Sequence, residues 1–231
     1  MLQSAGLFHK RLSAQVVSRK TFGAKLRAWS SDTFPPILAI VALDLALTII
    51  FFGFSAPSTH IGTLRAEDTI APKILQLTSV GLGLGILASL FSRAIDMRLV
   101  TFGLAFTLLL DLDHLPAFFG IDQPIRPAHS LTFLFIAFAL LYLVAARGRP
   151  EIPVIFASAF FGHIAADSGV FAFLAPISFN YASLDEFKIP FAILAVCLAI
   201  WSGYLKSKRR RLEKLSTVPN SINVKGVSKK N

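Results

Sequence analysis

Long apolar runs dominate the pattern of hydrophobic and polar positions along the chain. The hydrocarbon core of a bilayer is about 30 Å thick and needs roughly 20 apolar residues per spanning helix. Six runs qualify, at about residues 35–54, 73–91, 99–119, 128–146, 152–175 and 189–205. We therefore predict an all-α protein, a polytopic membrane helix bundle with about six transmembrane helices.

Basic residues flank the apolar runs and predict their orientation. With six spans, 19 of the 23 lysine and arginine residues fall on one side of the membrane. Cytoplasmic loops carry such an excess, so both termini are predicted to be cytoplasmic, in a multi-pass protein of the plasma membrane. The chain then divides into a basic N-terminal segment (1–34), a transmembrane helical domain (35–205) and a basic cytoplasmic tail (206–231).

The formal net charge of +10 adds predictions about partners. Nucleic acid is not expected, because the basic residues lie next to the spans and are not interleaved with aromatic residues. The tail sequence "KSKRRRLEK" is interpreted as a topology anchor attracted to anionic lipid, with a solvated charge run as the alternative. The N-terminal segment is either an interfacial amphipathic helix or a disordered lead-in. Cys197 is the single cysteine, so no intramolecular disulfide forms.

Prolines and glycines give local predictions for the first two spans. Pro35 and Pro36 suit the first turn of span one, where the missing amide donor has no helical partner anyway. Gly81, Gly83 and Gly85 lie in span two. Glycines four residues apart let two helix backbones approach closely, so this face is predicted to pack against a neighbouring span.

Ionisable residues interrupt the apolar runs, and most of them fall at one depth. At 1.5 Å per residue, Asp111 and His163 lie roughly 18 and 16 Å from the cytoplasmic ends of their spans, and His129 roughly 25 Å. Acids and histidines from three spans therefore share the outer half of the membrane. Asp44, midway along span one, is interpreted as a neutral, hydrogen-bonded interior acid in preference to a site residue.

The spacing of these residues favours a shared metal site. His163 and Asp167 are four residues apart and Asp111 and His114 are three apart, so each pair lies on one helical face. Mixed imidazole and carboxylate ligands suit Zn²⁺, Mn²⁺ or Fe²⁺ better than Ca²⁺, which prefers oxygen ligands. We therefore predict a divalent metal ion bound by Asp111, His114, His163 and Asp167, whose charge compensates the buried carboxylates.

Three further residues are assigned catalytic roles, each beside a simpler interpretation. His129 is a further ligand or the general acid, or an interfacial histidine that caps span four. Asp113 orients or deprotonates the water or binds a second metal, or is a helix-end residue exposed to water. Arg126 steadies an anionic group such as phosphate, or only reaches toward the outer interface.

The same polar residues resemble the membrane-bound metal-dependent hydrolase family related to a LexA-controlled bacterial inner-membrane protein. The shared elements are "DLDH" at the end of one span, "HS" opening the next, and then "GHIAADSGVFAFLAPIS". The likeness covers roughly residues 99–180. The matching positions are Asp111, Asp113, His114, His129, Ser130, His163, Asp167, Gly169, Pro176 and Ser178.

The central element departs from the family pattern. Where the family has a histidine and an arginine upstream of His129, this chain has Pro124 and Ile125, and Ala128 replaces a threonine. Arg126 supplies a positive charge from a shifted position. The departure leaves a two-metal site, a one-metal site and an altered activity all open.

The residues and the resemblance together imply a metal-dependent hydrolase embedded in the membrane. It would use a metal-activated water on an ester or phosphoester in a lipid or lipid-linked substrate. Two alternatives stay open: a proton- or cation-coupled carrier, and a structural subunit of a larger membrane complex. Asp44 favours the carrier, whereas the chain shows no inverted repeat and is small for one at 231 residues.

Overall fold

Helices make up most of the protein in the computed structural model, which describes residues 2–52, 70–114, 127–144, 148–167, 170–174 and 178–216. The α-helices are α1 (Leu2–Phe52), α2 (Ile70–Phe91), α3 (Met97–Leu109), α4 (Leu131–Val144), α5 (Glu151–Ala166) and α6 (Lys188–Ser216). Short 3₁₀ helices follow α3 (Leu110–His114), precede α4 (Pro127–His129) and precede α6 (Leu184–Glu186). An antiparallel hairpin, β1 (Val170–Leu174) with β2 (Ser178–Ser183), lies between α5 and α6.

Within the described part of the chain, three helices are long and apolar enough to cross a membrane. They are Arg27–Ile50 within α1, Lys73–Phe91 within α2, and Lys188–Ser216, which is α6. Their large apolar side chains are in part exposed, as at Ile49 and Leu75, which is the surface that lipid-facing helices present. The predicted helical architecture, with helices apolar enough to cross a membrane, is confirmed, and the number of six spans and the side of the termini stay predictions.

Helix α5 is the central helix of the bundle. Every side chain from Glu151 to Ile164 is buried, and α2, α3, α4 and α6 pack around it. Two serine hydroxyls fasten it to α6: Ser158 donates to the carbonyl oxygen of Ala195 at 2.7 Å, and Ser202 donates to that of Glu151 at 2.9 Å. A polar group on α5 is therefore enclosed by several helices at once.

Two glycines bring α2 and α3 into close backbone contact. A Cβ on Gly81 would lie 2.8 Å from the carbonyl oxygen of Gly103, and one on Gly85 would lie 2.7 Å from the Cα of Val100. The predicted close packing is confirmed at these two positions. Gly83 does not take part, because a Cβ there would meet no described atom within 4 Å.

Buried acids cross-link the helices at the end of the bundle that is rich in basic residues. Asp96 accepts a hydrogen bond from the Arg98 amide and lies 2.7 Å from the guanidinium of Arg210 in α6. Glu151, at the start of α5, lies 3.2 Å from Nζ of Lys206 and accepts a hydrogen bond from Arg209 at 2.7 Å. These ion pairs fix α6 against α3 and α5, and we call this end of the bundle the basic end.

Helix α1 joins the basic end through Asp32. Its carboxylate lies 2.8 Å from Arg98 and 3.0 Å from Arg149. Asp32, Arg98 and Arg149, which the predicted topology puts on the cytoplasmic side, thus meet at one end of the bundle. The side of the membrane that this end faces stays a prediction.

Three details of the predicted helices are wrong. The span predicted at 152–175 ends as a helix at Ala166, Asp167 is extended (φ −79°, ψ 167°), and β1 follows. The span predicted at 99–119 becomes a 3₁₀ helix after Leu109. Short apolar runs fit strands and helices equally well, so hydrophobicity did not reveal these ends.

The third detail concerns the start of span one. Pro35 and Pro36 lie inside α1, which begins upstream at Leu2 and so crosses the predicted domain boundary at residue 34. The hydroxyl of Thr33 donates to the carbonyl oxygen of Trp29 at 2.7 Å and supports the turn before the prolines. The helix continues on both sides of Pro35 and Pro36, although neither residue has an amide hydrogen to donate.

Substitution of Gly81 by alanine should destabilise the protein, whereas substitution of Gly83 should not. The methyl group added at position 81 would press on backbone atoms of α3, which cannot rotate away, and such overpacking costs about 1–3 kcal/mol. Alanine at position 83 meets open space and gains up to about 1 kcal/mol of helix propensity. Thermal unfolding of Gly81→Ala and Gly83→Ala in the same detergent measures the difference, and equal midpoints would contradict the close α2–α3 contact.

Candidate metal centre

Five predicted site residues meet at the end of the bundle opposite the basic end. Asp111 and Asp113 lie in the 3₁₀ helix after α3, and His129 lies in the one before α4. His163 is in the last turn of α5, and Asp167 caps that helix. Each side chain is placed at a helix end, so elements far apart in sequence supply one cluster.

The tautomer of His163 is fixed by the backbone of α3. The ring is fully buried, and its Nδ1 lies 2.8 Å from the carbonyl oxygen of Thr107. A carbonyl oxygen only accepts hydrogen bonds, so Nδ1 carries the proton and donates it. In the neutral ring Nε2 then has no proton and directs a lone pair into the cluster.

A carboxylate orients His129 in the same way. Its Nδ1 lies 3.0 Å from Oδ2 of Asp113, and both side chains are buried. An ionised carboxylate accepts, so Nδ1 donates and the Nε2 of the neutral ring carries a lone pair. A carboxylate behind a histidine is the usual arrangement for imidazoles that bind metal ions.

The two lone pairs face each other. Nε2 of His163 and Nε2 of His129 are 3.0 Å apart. Oδ1 of Asp111 lies 3.4 Å from the first and 4.0 Å from the second, and Oδ2 of Asp167 lies 3.5 Å from Nε2 of His129. Two acceptors at this distance repel each other unless a proton or a metal cation lies between them.

The spacing of these atoms fits a divalent transition-metal ion. Metal–ligand bonds of about 2.0–2.2 Å put neighbouring ligand atoms about 2.8–3.6 Å apart, from octahedral to tetrahedral geometry. The ligand atoms of Asp111, His129 and His163 all lie within 4.8 Å of one another. The widest separation involves Asp111, whose side chain is 24% exposed and has room to adjust. Two imidazoles with carboxylates form a donor set suited to Zn²⁺, Fe²⁺ or Mn²⁺.

Lys73 of α2 belongs to the cluster as well, although the predicted site did not include it. Its Nζ lies 3.2 Å from Oδ1 of Asp167 and 3.7 Å from Oδ1 of Asp111. The side chain is 26% exposed, so this cation stands at the edge of the site. The depth argument could have identified Lys73, because it lies near the outer end of its predicted span.

Asp44 lies beside the cluster without the hydrogen bonds that were predicted for it. It is fully buried, and neither carboxyl oxygen has a hydrogen-bond partner among the described residues. Thr48, one turn further along α1, has an equally unpaired hydroxyl in the described structure. Asp44 lies within electrostatic range of Asp113 and His129, and α1 packs against the 3₁₀ helices that carry them.

Two predicted site residues stay predictions. His114 ends the 3₁₀ helix after α3, but its side chain lies outside the described part of the chain. Arg126 lies outside the described residues altogether, as do Gly169 and Pro176 of the family motif.

Replacement of Asp44 by valine should stabilise the protein. A buried polar group without a partner carries a desolvation penalty of about 1–3 kcal/mol, which valine removes. Thermal unfolding in detergent measures the effect, and Thr48→Val, a nearly isosteric change on the same face of α1, is the matched control with a smaller expected gain. A lower midpoint for Asp44→Val would show that the carboxyl group has a bonding partner after all.

Comparisons with protein-family models, with curated proteins and with solved structures find no match to this chain. The family resemblance therefore rests on the motifs in the sequence and remains an expectation.

Proposed function

We propose that the protein is an integral-membrane, metal-dependent hydrolase. The observation that carries the proposal is the pair of imidazole Nε2 atoms 3.0 Å apart in His129 and His163. Each ring is held by an acceptor at its other nitrogen, which leaves both Nε2 lone pairs for one cation. The carboxylates of Asp111 and Asp167 beside them complete a ligand set.

Each residue of the cluster has a distinct role in this proposal. A divalent ion, if held by the cluster, would supply the Lewis-acid chemistry that activates a water for hydrolysis near neutral pH. Asp111, His129 and His163 bind the ion, and Asp167 adds a further carboxylate. Asp113 holds His129 in the orientation that binding requires, which replaces its predicted role as a base.

Lys73 supplies positive charge at the edge of the site. It contacts Asp111 and Asp167 from the partly exposed side of the cluster, whereas His163 and Asp113 are enclosed. An ammonium group in this position binds the negative charge of an anionic substrate group such as a phosphoester. The exposed sides of Lys73 and Asp111 mark where a substrate enters.

The depth of the cluster favours a lipid or lipid-linked ester as the substrate. Its members lie within about a turn of helix ends in a chain that carries membrane-spanning helices. The ester groups of lipids occupy this zone, between the hydrocarbon core and water. With six spans and cytoplasmic termini in the plasma membrane, which are part of the proposal, the site opens toward the outer leaflet.

One observation keeps a second function in view. The fully buried carboxyl of Asp44 next to an acid and histidine cluster is also what a proton- or cation-coupled carrier needs. Proton or cation flux into liposomes that depends on Asp44 and Asp167, without ester cleavage, would replace the hydrolase proposal with this one.

Metal content tests the ligand assignment. The purified wild-type protein should retain about one Zn²⁺, Mn²⁺ or Fe²⁺ per chain by elemental mass spectrometry, and His163→Ala should retain none. Asp113→Asn should still bind the metal, about 10–100-fold more weakly, because Asp113 acts through His129. His60→Ala changes a histidine outside the apolar runs and should match the wild type. Equal metal content in wild type and His163→Ala would exclude the site.

Activity tests the proposed reaction and the role of Lys73. Hydrolysis of p-nitrophenyl butyrate, p-nitrophenyl phosphate and phosphatidylglycerol in mixed micelles should stop on chelation and return with added metal. Lys73→Gln should raise KM for anionic substrates roughly tenfold, because a charge-assisted hydrogen bond is lost. Lys188→Gln is the control, since Lys188 pairs only with the exposed Asp185 among the described residues.

A metal-loaded protein that hydrolyses none of these esters would contradict the hydrolase and leave the metal site standing. An equal change of KM in Lys73→Gln and Lys188→Gln would instead show that general surface charge, rather than a contact at the site, attracts the substrate.

A further inference from the structure

A cleft at the basic end combines positive charge with a fixed backbone. It has a volume of about 410 Å³ and lies between the turn that joins α2 to α3 and the last turns of α6. Its lining includes the side chains of Arg93, Arg210, Arg211 and Lys214, together with the acid Glu213. The cleft lies at the end of the bundle opposite the candidate metal centre.

The side chains that line the cleft carry more positive charge than their ion pairs neutralise. Arg210 is held by Asp96 and by the carbonyl oxygen of Ser92. The carboxylate of Glu213 pairs at 2.6 Å with Arg209, a cation that is not part of the lining. The exposed guanidinium groups of Arg93 and Arg211 thus add positive charge that the lining acid does not offset.

The backbone of Arg93 has an unfavourable conformation. Its φ of 65° is in the left-handed region, where glycine is the favoured residue after the end of a helix. Hydrogen bonds hold the turn around it: the hydroxyl of Ser92 lies within bonding distance of the carbonyl oxygens of Ser89 and Ala94, and the amide of Asp96 donates to the hydroxyl of Ser89. An arginine at a position where glycine would fit better is consistent with a use for its side chain.

Exposed apolar residues adjoin the lining residues along the chain, in the turn and in α6. Phe91 and Ile95 are exposed beside the turn, and Leu212 and Leu215 are exposed on α6. A basic cleft with exposed apolar residues nearby in the chain, at the end of helices apolar enough to cross a membrane, matches a molecule that carries a phosphate and acyl chains. Free phosphate would use only the polar part of this surface.

We propose that the cleft between the α2–α3 turn and the end of α6 binds the phosphate headgroup of an anionic lipid. Arg93 and Arg211 contact the phosphate, and the acyl chains lie along the exposed apolar residues. The site is independent of the metal centre and of any hydrolysis there. It gives the basic tail a defined binding site in addition to a general attraction to the membrane.

Lipid retention tests the proposal in the full-length protein. Native mass spectrometry of protein in detergent at about 0.15 M salt compares added phosphatidylglycerol with phosphatidylcholine. Wild type should retain phosphatidylglycerol preferentially, and Arg93→Gly should weaken its binding about fivefold, with a larger loss for Arg93→Gly combined with Arg211→Gln. Lys208→Gln removes an exposed charge of α6 outside the cleft and should change binding less than about twofold.

Arg93→Gly also guards against a folding artefact. Glycine relieves the left-handed backbone, so the variant should unfold at an equal or higher temperature while it loses lipid. Equal loss in Lys208→Gln and Arg93→Gly, or no preference of the wild type for phosphatidylglycerol, would overturn the cleft as the site. Stabilisation by inorganic phosphate equal to that by the lipid would replace the lipid with a soluble phosphate.

Discussion

A charge inside an apolar helix bundle must be compensated, and the central helix α5 carries an ionisable group near each of its ends. At one end, the buried carboxylate of Glu151 lies between Lys206 and Arg209 of α6. At the other, His163 faces His129 across 3.0 Å. Isolated buried charges cost several kcal/mol, so both ends recruit partners from helices distant in the chain. These contacts fix how the neighbouring helices pack on α5.

Much of this arrangement could be predicted from the sequence, because depth and spacing constrain helices that cross the same slab. Polar side chains at equal depth in successive predicted spans avoid lipid by packing against one another. On this ground Asp111, His129 and His163 were predicted to form one group. The spacing of Gly81 and Gly85, four residues apart, likewise predicted a close helix contact, which the structure shows between α2 and α3. The grouping of basic residues at one end followed from counting charges along the same spans.

The remainder depends on features that leave little trace in hydrophobicity. The apolar run after His163 continues unchanged where the helix gives way to an extended Asp167 and β1. The carbonyl oxygen of Thr107 selects the tautomer of His163, yet every residue has a carbonyl group. Such relations arise from packing and cannot be read from one segment at a time.

The buried carboxyl group of Asp44 in α1 has no compensating hydrogen bond among the described residues. Asp96 and Glu151 are buried acids that pair with cations, whereas the carboxyl of Asp44 has no hydrogen-bond partner among the described residues. An apolar residue would be more stable in its place, and chains retain such groups mainly where function requires them. Asp44 adjoins the 3₁₀ helices that carry Asp113 and His129. Helix α1 therefore packs directly against the elements that carry the cluster.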